Sequence, residues 1–387
     1  MLPISHTQCT HQSHELKEEI RSKALEMGFD SVAFAPPTPP PHHECLDAWL
    51  AAGGHGDMAW MARNQERRVD PAQLMPGLAT IMVVGVNYQP DPTLLTTLHK
   101  PAKGYISAYA RNKDYHDILK KRLKALAQWL EKRLGHAHEG RLFVDTAPLL
   151  ERPVAAHSGL GWQGKNSMLV SRHYGCWLFL GEFFLSLALP ADACEPDHCG
   201  QCRRCQQACP TGALDRPYWL LAPDCLAYWT IETDLPIPHA LRRAMGNRVY
   251  GCDDCVMVCP FNRFGAPTQD PLLQPQDGGQ EPDLLMLAQL TEETFRSMFR
   301  QSPVKRSGRI RLQRNVAVAL GNWGSAEAIA MLNQLLTHEH PLVRGHAVWG
   351  LGEHRHHIAV AEALQQAWRV EADGYVRQEL ARLCQGV

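Results

Sequence analysis

Of the thirteen cysteines in this 387-residue chain, eight fall between Cys199 and Cys259, in a spacing that few folds accommodate. The first group reads Cys199-Gly-Gln-Cys202-Arg-Arg-Cys205-Gln-Gln-Ala-Cys209-Pro210, the C-x2-C-x2-C-x3-C-P run of bacterial iron–sulfur proteins. The second reads Cys252-Asp-Asp-Cys255-Val-Met-Val-Cys259-Pro260, and Cys225 stands upstream where a third close cysteine is missing. A cubane needs a thiolate at each of four corners. The C-x2-C-x2-C loop wraps three of them, and the cysteine before the proline points away to the other cluster. Crossing the ligands in this way assigns Cys199, Cys202, Cys205 and Cys259 to one [4Fe–4S] cluster, and Cys209, Cys225, Cys252 and Cys255 to a second. Paired zinc sites are the alternative, since C-x2-C also suits tetrahedral zinc. Against them, the C-x3-C-P tails and Thr211-Gly212-Ala213-Leu214 have no role in a zinc ribbon.

Cysteines held reduced fit a cytoplasmic protein, and the N-terminal residues MLPISHTQCTHQSHELKEE show neither a basic start nor an apolar stretch of the kind that directs export. The apolar segment 176–189 is too short for a bilayer and carries Glu182 in its middle, so no membrane association is expected. Lys and Arg total 39 against 40 Asp and Glu. The net charge of −1 excludes a globally basic nucleic-acid coat and leaves room for a local patch. The other five cysteines, Cys176 and Cys194 among them, read as small apolar residues.

The expected fold class is α+β and multidomain. Alternating helical and strand patterns (a helix over 14–28, strands at 31–35, 80–88 and 141–146, a helix over 115–134) make residues 1–190 an α/β domain. Residues 191–265 form the two-cluster, ferredoxin-like domain. Residues 266–300, acidic at first and bearing Pro and Gly, read as a connector. In residues 301–387, Arg314-Asn-Val-Ala-Val-Ala-Leu320-Gly321 and Arg344-Gly-His-Ala-Val-Trp-Gly-Leu351-Gly352 recur about every thirty residues, with a third copy from Arg377 to Leu383. Paired helices at that period are HEAT-like repeats, whose face commonly binds something large; a plain helical cap is the alternative.

Clusters move electrons but break no substrate bonds, so a catalytic chain needs a site in the first domain. Val144-Asp145-Thr146 puts a carboxylate at the end of an apolar strand; Asp145 could equally cap the next helix. Gly161-Trp162-Gln163-Gly164-Lys165-Asn166 is a Gly-rich turn that matches no nucleotide fingerprint, and Arg63, Arg67 and Arg68 could hold an anionic or amide-bearing group. From Arg296 to Asn315 there are seven basic residues and no acid, which suits an anionic macromolecule such as RNA, an acidic redox partner, or merely solvent.

Taken together, Gly56-Asp57-Met58-Ala59-Trp60, Arg68-Val-Asp-Pro71, Ala110-Arg-Asn-Lys-Asp-Tyr115-His116, Val144-Asp145-Thr146, Gly161 to Asn166, the double cluster and the repeat tail resemble the epoxyqueuosine reductases over nearly the whole chain. That family is cobalamin-dependent and reduces the epoxide of epoxyqueuosine to queuosine at the tRNA wobble position. The resemblance implies a nitroreductase-like cobalamin domain followed by ferredoxin and HEAT-like domains. It places the proton donor at Asp145, with a pKa expected to be raised by burial against the corrin. It implies a cobalamin neighbourhood of Arg68, Asp145, Gly164, Lys165, Asn166, Leu169, Val170 and Ser171, and tRNA contacts at Lys305, Arg306, Arg309, Arg311 and Arg314. Asp114-Tyr115-His116 begins like a cobalt-ligating D-x-H-x-x-G motif, but Leu119 stands at the glycine position. Base-off cobalamin without a protein histidine ligand is compatible with that. The expected partners are the epoxyqueuosine-bearing tRNA and an electron donor such as flavodoxin or ferredoxin, with a monomeric chain as the default. The rival readings are a cobalamin and iron–sulfur reductase of a small molecule, like the reductive dehalogenases, and a non-catalytic iron–sulfur electron-transfer protein.

Overall fold

The structure, a computed structural model, describes residues 6–275 and 280–384. Its first part is built on a four-stranded sheet of β1 (Ser31–Ala35), β2 (Thr80–Asn87), β3 (Gly140–Phe143) and β4 (Leu178–Leu185), in the order β1-β2-β4-β3. Every pairing in this sheet is antiparallel. The expected α/β domain is therefore corrected to α+β. The long excursions between strands return each one head-to-tail beside its neighbour, where a parallel sheet would need crossovers of one hand. β2 is buried along its whole length, as its run of β-branched and apolar residues requires.

Two helices pack on one face of the sheet. α1 (His6–Glu26) contributes Ile20 and Ala24, and α2 (Tyr115–Leu134) contributes Ile118, Leu119, Leu123, Leu126 and Leu130. The α2 residues recur at helical spacing and form one apolar stripe. Asp114 caps this helix by accepting the backbone N–H of His116, and Gly135 ends it in the left-handed conformation at φ +72°. The cap matters beyond the helix, because it places Asp114, Tyr115 and His116 together at the mouth of the sheet. On the opposite face α3 (Glu151–His157) buries Val154 and Ala155 against Val83 and Phe184.

The cysteine-rich segment holds short helices, among them Arg204–Ala208 and Asp254–Met257, and a short strand, Arg248–Tyr250, that pairs parallel with Tyr105–Ile106. The tail consists of the helices Arg309–Trp323, Ala326–Leu335, Pro341–Gly352, Ile358–Val370 and Gly374–Cys384. The repeated Leu-Gly pattern has a packing reason: a Cβ on Gly321 would meet the Gly350 Cα at 2.7 Å, so the first and third of these helices cross backbone to backbone. Residues 266–300 are more than a spacer. Leu284, Leu287, Phe295 and Phe299 are buried in the same core as Val316, Leu320 and Val348 of the tail. Among the described residues no helix is long and apolar enough to cross a membrane.

Candidate active site

Strand β3 ends at Phe143, earlier than expected, and the chain turns sharply so that Asp145 sits at φ +56°. Few residues other than Gly, Asn and Asp tolerate that backbone. The turn leaves the Asp145 side chain 58% exposed. Its Oδ2 accepts a hydrogen bond from the Tyr115 hydroxyl at 2.9 Å and lies 3.2 Å from His116 Nε2. The other imidazole nitrogen, Nδ1, stands 2.5 Å from Asp114 Oδ1, and Arg306 from the tail donates two hydrogen bonds to Asp114 Oδ2. The order Arg306–Asp114–His116–Asp145 is thus continuous. Tyr115 is held by stacking on Phe179 (4.2 Å, 6° between planes), which in turn stacks on Tyr88.

The electrostatics depart from the sequence expectation. Burial raises the pKa of Asp145, but the hydrogen bonds from His116 and Tyr115 outweigh it and hold the carboxyl below its ordinary range. In this arrangement those hydrogen bonds favour the Asp145 carboxylate. Burial lowers the pKa of His116, but Asp114 and Asp145 raise it further, and the net rise favours the imidazolium. Asp114 is lowered to about 2, with the His116 and Arg306 hydrogen bonds overcoming the cost of burial. An imidazolium between two carboxylates is a proton held in reserve beside an exposed oxygen. Sequence reasoning noted His116 only as an incomplete metal-binding motif. Both of its ring nitrogens instead face carboxylates, Asp114 and Asp145.

The cysteines approach one another from both groups. Cys205 feels the charges of Cys199 and Cys202, and Cys225 and Cys255 each feel that of Cys209. Cys209 and Cys259, each before a proline, have extended backbone (φ −67°, ψ 116° and φ −64°, ψ 122°), which turns them out of their own helical turns. Among the described residues no three His, Cys, Asp or Glu side chains converge tightly enough to hold a single metal ion. A cubane's thiolates, at the corners of a larger body, would not converge in that way. Cys176, read from the sequence as a plain apolar residue, is buried with its thiol against Cys259. The buried Trp162 indole N–H has no hydrogen-bond partner among the described residues.

The Gly-rich turn serves these loops. Lys165 Nζ donates to the Gly200 carbonyl at 2.5 Å and the Cys202 carbonyl at 3.1 Å, and Asn166 Nδ2 donates to the Cys255 carbonyl at 3.2 Å. Asn166, Leu169, Val170 and Ser171 are all buried, and a Cβ on Gly164 would meet Val170 Cγ2 at 2.7 Å. Lys165 and Asn166 thus hold the cysteine-bearing loops, and the buried side chains pack the turn. What this segment can offer a bound group is backbone. Arg68 differs. It is buried, bonded through Nη2 to the Trp60 carbonyl at 3.0 Å, and its Nε has no partner. A buried guanidinium N–H without an acceptor fits an anionic or amide-bearing group from outside the chain.

The basic segment divides. Lys305 and Arg306 are exposed and line a cleft of about 520 Å³ with Asp114 and Asp117. Arg309 and Arg311, 13% and 14% exposed, are committed to Glu339 and Asp234. Arg314 is corrected outright. It is 0% exposed, and its guanidinium donates to the carbonyls of Thr233, Leu235 and Trp229, leaving nothing for RNA.

Comparison with known proteins adds to this geometry. The family model described as epoxyqueuosine reductase QueG, DUF1730, matches residues 68–146. The 4Fe-4S double cluster binding domain matches residues 198–262, and HEAT repeats match 304–383. The epoxyqueuosine reductase of Salmonella typhimurium is 40% identical over 341 residues, which cover 88% of each chain. A solved epoxyqueuosine reductase bound to a tRNA-Tyr epoxyqueuosine-modified stem loop superposes with TM-score 0.86 at 28% identity, covering 96% of this chain and 98% of that one. The epoxyqueuosine reductase of Bacillus subtilis, solved with its catalytic aspartate loop swung out of the active site, superposes with TM-score 0.85 at 28% identity over the same shares.

Proposed function

The chain belongs to the epoxyqueuosine reductase family, and we propose that it reduces the epoxide of epoxyqueuosine to the alkene of queuosine at the wobble position of tRNA. The observation that carries the reading is the 3.2 Å contact of His116 with the exposed Asp145 carboxylate, a proton source at a site open to a large substrate. Converting the epoxide to an alkene breaks two C–O bonds and forms two O–H bonds, so it takes up two electrons and two protons and releases water.

Each part of that balance has residues to serve it. Two [4Fe–4S] clusters, ligated by Cys199, Cys202, Cys205 and Cys259 and by Cys209, Cys225, Cys252 and Cys255, would pass single electrons from a donor such as flavodoxin or ferredoxin. Base-off cobalamin, held by Arg68 and the backbone of residues 164–171 near Asp145, would supply the low-potential cobalt chemistry at the carbon. His116 passes one proton through Asp145 to the departing oxygen, and solvent supplies the second. Asp114 keeps the imidazole charged and oriented, and Tyr115 orients Asp145. Both His116 nitrogens facing carboxylates supports a cofactor bound without a histidine from the protein. The Bacillus subtilis relative, with its aspartate loop swung out, supports a loop at Asp145 that moves as substrate enters.

The tRNA-bound relative supports the same substrate here, with Lys305 and Arg306 as phosphate contacts. In this reading residues 1–190 carry a nitroreductase-like catalytic domain, 191–265 the clusters, and 301–387 the RNA-facing repeats. The test is iron and cobalt per chain after anaerobic purification and incubation with cobalamin. About eight irons and one cobalt are expected. Eight irons with no retained cobalt would overturn the catalytic reading in favour of an electron relay.

A further inference from the structure

Glu182 has no place in the proposed chemistry, yet its position is costly. It lies in the middle of β4, between Val83 of β2 and Phe143 of β3, and is 0% exposed. Neither of its carboxyl oxygens receives a hydrogen bond from any donor among the described residues. A bare carboxylate in such surroundings is strongly disfavoured. What faces it from α3 is a second acid, Glu151, with the Asp145 carboxyl beyond; the positive charge of Arg152, also on α3, acts on Glu151. Two carboxyls facing each other in an apolar pocket cannot both ionise, and burial raises both, so one proton stays with the pair through neutral pH.

The far side of Glu151 shows what the pair acts on. Its Oε1 accepts the backbone N–H of Asp145, the residue whose left-handed backbone most needs to be held. We infer that Glu182, as a neutral acid anchored in the rigid centre of the sheet, donates to Glu151 and so fixes the oxygen that holds Asp145, making Glu151 and Glu182 positioning residues for the active-site acid. This rests on the reading of Asp145 as part of that acid. Once the pair loses its last proton at alkaline pH, the two charges repel, and the grip on the Asp145 turn is released.

The test uses the full-length chain and has two readouts. In infrared spectra of the chain as purified, the wild type should show a protonated-carboxyl C=O band that shifts in D2O and is missing from Glu182→Gln. In turnover of the cofactor-loaded enzyme, Glu182→Met, similar in size and unable to donate, should lower kcat on the order of tenfold with KM for the tRNA stem loop unchanged. Glu182→Gln keeps a donor. It should lose no more than about threefold, and its fall in kcat at alkaline pH should be shallower than the wild type's, because His116 alone then titrates. No protonated-carboxyl band in the wild type, or wild-type kcat and pH profile in Glu182→Met, would overturn the inference. If Glu182→Met does not fold, the band and the Glu182→Gln pH profile decide it. Wild-type turnover in Asp145→Asn would remove the proton-donor reading and this inference with it; loss in Asp145→Asn but not in Glu182→Met would remove the inference alone.

Discussion

Arg306 and Asp114 are joined by hydrogen bonds of 2.7 and 3.0 Å across 192 residues of sequence, tying the helical tail to the acid network. Asp114 stands between a surface charge that RNA phosphates can attract and the imidazole that carries the proton. Its carboxyl is lowered to about 2, below the ordinary value of 3.8, so its stabilising effect is complete above about pH 4 and is lost as pH falls toward 2. Asp114→Asn should therefore cost about 2 kcal/mol at neutral pH and almost nothing at pH 2. Denaturant midpoints of the two proteins across that range check it.

The same substitution has a kinetic signature. Without the Asp114 charge, His116 gives up its proton more easily, and the alkaline limb of the kcat profile should move to lower pH. An unmoved limb would take His116 out of the proton path.

Asp145→Asn keeps the shape of the turn and removes the acceptor charge. Turnover should fall by about 10²–10⁴ while iron content and cobalamin binding stay at wild-type levels. Single-turnover assays with quantified cofactors separate this from simple loss of cofactor.

The two ends of the basic segment should behave in opposite ways. Lys305→Ala and Arg306→Ala should weaken tRNA binding and each lower the salt slope by about 1, with the fold intact. Arg314→Leu leaves three buried carbonyls without their donor and should cost about 3 kcal/mol of stability. Thermal melts and salt-dependent gel shifts on the three variants decide it.

Much of this was legible in the sequence because it is local. Strand Ser31–Ala35 and helix Tyr115–Leu134 follow from apolar periodicity, and the cysteine groups follow from spacing alone. What was not legible depends on partners far away in the chain. The run of seven basic residues looked uniform because Asp114, Asp234 and Glu339, which neutralise three of them, lie outside it. Arg314 went inside because its helix is buried on nearly every side at that turn. Glu182 read as a charge interrupting an apolar stretch, and only the fold brings Glu151 up to it. The antiparallel sheet was missed because alternating strands and helices do not state the direction in which each strand returns.

Cysteine substitutions test the cluster assignment one ligand at a time. Cys225→Ala should lower iron from about eight to about four per chain, whereas Cys176→Ala should leave about eight. Full iron in Cys225→Ala would remove Cys225 from the ligand set.

The most direct measurement is on the RNA itself. The chain, loaded with iron and cobalamin under anaerobic conditions, is given a low-potential reductant and an epoxyqueuosine-bearing tRNA stem loop, and the nucleosides are analysed by mass. The account predicts a nucleoside lighter by one oxygen atom, formed only when cobalamin is present. Unchanged epoxyqueuosine after incubation with an enzyme shown to hold both cofactors would contradict it.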